Sequence, residues 1–60
     1  MKNWTVEIVL TSGYGYEQRT ITGYIEITAS KIEEESSDVL LVDGVRMKFG
    51  KGELGFFWEN

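Results

Sequence analysis

The side chains best equipped for chemistry in this chain are the carboxylates Glu33, Glu34, Glu35 and Asp38, which stand together in one short segment. Two carboxylates in a water-poor pocket can divide into a general acid and a general base, and clustered carboxylate oxygens can hold a hard cation. Neither use fits the surrounding residues. Between Ala29 and Ser37 only Ile32 is large and apolar, so little is at hand to wall off a pocket. A solvated acidic face is the ordinary reading of such a run. The ligand spacing of an EF-hand is missing as well. With no histidine and no cysteine, the chain lacks the commonest general base and the most readily activated nucleophile. The expectation is a protein that is not an enzyme, with no catalytic residue, no metal site and no cofactor.

Gly13-Tyr14-Gly15-Tyr16 invites comparison with a phosphate-cradling loop, yet Glu17-Gln18 follows where the dinucleotide fingerprint needs its third glycine. No Gly-Lys-Ser/Thr occurs elsewhere. The run reads better as a flexible hairpin loop carrying two tyrosines. Exposed tyrosines make good interface anchors, because they bring large contact area, little rotamer entropy and a polar tip. Tyr14, Tyr16 and Tyr24 are therefore candidate partner-binding residues, beside the acidic group Glu33, Glu34, Glu35 and Asp38.

These residues need a scaffold, and sixty residues make one small domain, 1–60. A chain of this size buries only about 60% of the surface its unfolded form exposes, so it gains from disulfides, metals or association. Without cysteine or histidine, association is the remaining route. The formal net charge of −4 opposes a general attraction to phosphate backbones. The N-terminal MKNWTVEIVL lacks the apolar core and small-residue cleavage site of a secretory signal, and the chain reads as a complete, soluble, cytoplasmic product. The sequon Asn3-Trp4-Thr5 is accordingly read as chance.

The scaffold is β-structure. Asp43-Gly44 favours the two positive φ angles of a type I′ turn, and in that register Val42 faces Val45 and Leu40 faces Met47, while Leu41 meets Arg46 and Val39 meets Lys48. Trp4, Val6, Ile8 and Leu10 alternate with Thr5, Glu7 and Val9 as a first strand. Ile21, Ile25 and Ile27 alternate with Thr20, Thr22, Tyr24 and Glu26 as a second. Gly23 interrupts the inward row and suggests a bulge, a bend or a close backbone approach. Ala29 to Ser37 has capping-box spacing at Ser30 to Glu33 but too small an apolar stripe for a helix, so a short strand or turn is expected. Gly50-Lys51-Gly52 reads as a turn, and Leu54, Phe56 and Trp58 as the inward row of a last strand. The predicted fold is an antiparallel meander of five or six strands. It would be an SH3-like or Sm-like barrel, or a curved sheet completed by dimerisation. The first and last strands are placed at sheet edges, where Trp4, Val6, Ile8, Leu54, Phe56 and Trp58 would serve self-association into a homodimer.

Lys51 to Phe57 resembles part of the Lys-Gly-aromatic-Gly-Phe run of RRM and cold-shock sheets. It departs from that run by an extra residue between the glycines and by Glu53-Leu54 where a stacking aromatic belongs. The sequence leads to a non-catalytic, acidic protein-binding module, and analogy with other very small acidic proteins, not the residues themselves, extends this to a phage or mobile-element inhibitor of a host defence enzyme. One alternative is a small-barrel binder of single-stranded nucleic acid using Arg46, Lys48, Lys51 and exposed aromatics. A second is a structural or assembly subunit.

Overall fold

The computed structural model describes all 60 residues. Six strands follow one another: β1 (Lys2–Ser12), β2 (Arg19–Ala29), β3 (Ile32–Ser36), β4 (Val39–Val42), β5 (Val45–Lys48) and β6 (Leu54–Glu59). They form two three-stranded antiparallel sheets, in the orders β2-β1-β6 and β3-β4-β5. The fold is all-β, and its strands remain in two open sheets instead of closing into a barrel. No helix is long and apolar enough to cross a membrane.

The placement of the first strand at an edge is corrected: β1 is the centre of its sheet. The chain returns at its C-terminal end to set Phe57 opposite Val6 and Leu54 opposite Ile8, which extends one apolar face across all three strands. On the other side β1 and β2 run in unbroken register, Trp4 opposite Ile27, Val6 opposite Ile25, Ile8 opposite Gly23 and Leu10 opposite Ile21. Gly23 therefore makes no bulge. The irregularities lie in β6, between the partners of Val6 and Ile8, and between Glu34 and Ser36 of β3.

In the smaller sheet the β4–β5 hairpin has the register read from Asp43-Gly44, with Val42 opposite Val45 and Leu40 opposite Met47. Asp43 at φ 50° and Gly44 at φ 81° supply the paired positive angles of the turn. Asp43 also ties the two sheets' connection down. Its carboxylate accepts hydrogen bonds from the Ser30 N–H at 2.9 Å and the Lys31 N–H at 2.9 Å, and its own N–H donates to the Lys31 carbonyl at 2.9 Å. The corner between β2 and β3 thereby has its backbone donors satisfied by the β4–β5 turn. Ala29 to Ser37, ambiguous in sequence, is this corner followed by β3.

The core lies between the sheets, at the end of β1–β2 remote from their loop. Val6, Ala29, Ile32 and Leu40 are its buried centre, with Trp4, Ile8, Ile27, Val42, Phe49, Leu54 and Phe57 packed around them. Trp4 buries its indole by donating from Nε1 to the Ala29 carbonyl at 3.0 Å. Phe57, not Phe56 or Trp58, is the aromatic that β6 turns inward, which corrects the row expected from sequence. The bulge shifts the alternation by one and sets Gly55 beside the Glu7 carboxylate. The molecule is thin and long, 43 × 21 × 11 Å between Cα atoms.

Candidate binding surface

The acidic residues do not form one face. β3 sets Glu33 opposite Leu41 and Glu34 opposite Leu40, so these neighbours point to opposite sides of the smaller sheet. Glu33 pairs with the Lys31 ammonium at 2.6 Å, and Glu35 with the Arg46 guanidinium at 2.9 Å. The hydrogen bond and charge of Glu33 raise the Lys31 ammonium above its ordinary value of 10.5. Asp38, half-buried, accepts from the Ser36 hydroxyl at 2.9 Å. Of the four acids, Glu34 alone has neither an ion pair nor a hydrogen bond. Much of the field expected from the run is thus cancelled locally or divided between two sides.

The tyrosines also separate. Tyr14 and Tyr16 stand fully exposed in the loop between β1 and β2, around a single 3₁₀ turn at Gly15–Glu17. Tyr24 sits well down β2, opposite Glu7, on the outer face of the larger sheet. There it meets a different partner. Trp58, opposite Thr5 on β6, reaches across β1 to contact Tyr24 edge to face, with ring centroids 6.1 Å apart and planes at 63°. Phe56, 77% exposed at the bulge, adds a third aromatic along the same strand. The outer rows of β1 and β2 are Asn3, Thr5, Glu7, Val9 and Thr11, and Thr20, Thr22, Tyr24, Glu26 and Thr28. Their only charges are the carboxylates Glu7 and Glu26.

Val6, a candidate for self-association, is wholly buried, and Trp4, Ile8 and Leu54 commit their apolar surface to the core. Val6 is thus internal and the other three are partly buried against the core, while Phe56 and Trp58 remain on the surface. Of the basic residues proposed to work with the terminal aromatics, Lys51 lies in the turn before β6, while Arg46 and Lys48 belong to the other sheet. β5, which carries Arg46 and Lys48, pairs with β4 and not with β6. What sequence reading missed is the exposure of Leu10, Ile21 and Ile25, at 48%, 59% and 40%, although all three point to the inner side. Alternation identified their face but carries no signal for where its cover ends. The structure contains no pocket, and no group of three or more metal-ligating side chains comes together. The chain matches no family model, no curated protein and no solved structure.

Proposed function

We propose that this chain is a non-catalytic protein-binding module that acts by occupying a partner's surface through the outer face of its larger sheet. The observation that carries the reading is the exposed aromatic group Tyr24, Trp58 and Phe56 on a face whose only charges are negative. Aromatic side chains in such a cluster offer the anchors on which protein interfaces concentrate their energy. Threonine hydroxyls and the carboxylates of Glu7 and Glu26 supply a polar surround. A surface that stacked single-stranded bases would need cations beside its aromatics to neutralise phosphate, and these rows have none. Support therefore favours a protein partner with apolar and basic residues over a nucleic acid. Occupancy of this kind inhibits an enzyme whenever the covered surface includes its cleft, which is the role the reading extends to.

Affinity capture with the wild-type chain and with Trp58→Ala, followed by mass spectrometry, tests the reading. A partner retained by the first and lost by the second is expected, with a drop in affinity of about 2 kcal/mol or more. Salt-sensitive binding of single-stranded oligonucleotides, abolished by the same substitution, would replace the protein with a nucleic acid.

A further inference from the structure

The two sheets expose four edge strands, β2, β6, β3 and β5. Open edges invite pairing with another strand, and proteins blunt them with short lengths, bulges and charges. Three of the four are blunted in this way. β3 carries Glu33, Glu34 and Glu35 in five residues, β5 carries Arg46 and Lys48 in four, and β6 carries the bulge at its Gly55 end. β2 has none of these devices. It runs eleven residues in regular register, without lysine, proline or bulge, and its only charges are Arg19 at its start and Glu26. Apart from its ladder with β1, its backbone from Arg19 to Thr28 takes no hydrogen bond from the rest of the chain.

We infer that β2 pairs with β2 of a second copy, antiparallel about a two-fold axis through Tyr24, to make one six-stranded sheet. This goes beyond the outer-face reading, because it uses the backbone edge and leaves Trp58 and Phe56 free. Three features select the second copy as the occupant. The first is charge. With Tyr24 opposite its own counterpart, Arg19 falls opposite Ala29 of the second copy and Glu26 opposite Thr22, so no like charges face each other.

The second is Gly23. A glycine inside a strand weakens it and often marks a bulge, a bend or a place where a ligand or another backbone comes close, and the regular register at Gly23 leaves no bulge. Within this chain nothing lies within 4 Å of where its side chain would be. In the two-fold pairing Gly23 falls opposite Ile25 of the second copy, and the open space receives that half-exposed side chain. The third is the cover of the inner face. The same operation sets the exposed Ile21 opposite Ile27 of the second copy, which lies against that copy's core. Each protomer thus brings its covered end beside the other's uncovered end, and both faces keep their sides because opposed residues in an antiparallel pair share a face.

Sedimentation over a dilution series, together with two variants, tests the inference. The wild-type chain is expected to be a dimer at tens of micromolar. Ile21→Lys, an inward-pointing edge charge at an exposed site, should raise the dimer dissociation constant by about tenfold or more with an unchanged far-ultraviolet spectrum. Since the chain has no cysteine, Tyr24→Cys gives a single thiol, and opposed strand residues lie within disulfide reach. Mild oxidation should convert it to a covalent dimer, while Thr5→Cys, on the central strand, stays single. A wild-type chain that is monomeric up to millimolar concentration overturns the inference. So does a dimer that survives Ile21→Lys unchanged, or one in which Tyr24→Cys crosslinks no faster than Thr5→Cys.

Discussion

One inner face runs along β1 and β2, and its two ends differ. Trp4, Val6, Ile27 and Ala29 lie in or against the core beside the smaller sheet, while Leu10, Ile21 and Ile25 have the same apolar character and remain 48%, 59% and 40% exposed. The pattern of alternation is continuous from one end to the other. What changes is the presence of a second layer, because β3, β4 and β5 together are too short to cover strands of eleven residues. A periodic apolar row therefore declares a face that needs a cover, and the cover can come from outside the chain.

The sharpest way to break this contrast is to truncate one residue at each end. Leu40→Ala removes a fully buried side chain and should cost about 2–5 kcal/mol, enough to abolish the cooperative unfolding of so small a domain. Leu10→Ala should cost less than about 1 kcal/mol at dilutions where the chain is single. Equal losses in urea unfolding would erase the distinction.

The Asp43 tie is the next largest effect. Asp43→Gly keeps the positive φ of the turn but deletes the carboxylate that satisfies the Ser30 and Lys31 N–H groups, with an expected loss of about 1–3 kcal/mol. Gly44→Val tests the turn itself. A β-branched residue at φ 81° should lower stability by about 1–3 kcal/mol, and an unchanged melting temperature would remove the type I′ turn from the explanation of the smaller sheet.

The smallest effect belongs to the Lys31–Glu33 pair at the surface. Because Lys31 is raised in the folded chain, its contribution is complete at neutral pH and fades only as alkaline pH passes through the raised value. Lys31→Gln should lower the melting temperature at pH 7 only slightly, and flatten the alkaline limb of the stability profile by the same small amount.

The elements that sequence revealed are those fixed by neighbouring residues. Asp43-Gly44 set a turn, the turn set a register, and the register placed Leu40 inside. The faces of β1 and β2 were legible for the same reason, as strict alternation around a loop. The pairing of β6 with β1 was not, because it joins residues at opposite ends of the chain and no local signal says which strand takes the second side of β1. Phe56 and Trp58 were assigned inward on simple alternation, and one extra residue in the bulge reversed them. For the candidate surface, Tyr24 was legible as an outward tyrosine, but its contact with Trp58 depends on that same bulge. The acidic run was visible as composition, whereas its division by strand pleat, Lys31 and Arg46 required the register of β3.

Amide hydrogen exchange along β2, measured residue by residue in dilute and in concentrated solution, tests most directly whether a second copy completes the uncovered end. The alternate amides between Arg19 and Thr28 that face away from β1 should exchange rapidly when dilute and slow with rising concentration, while Val6 stays protected in both. Identical β2 rates at the two concentrations would contradict the pairing and leave the open end of the inner face without its cover.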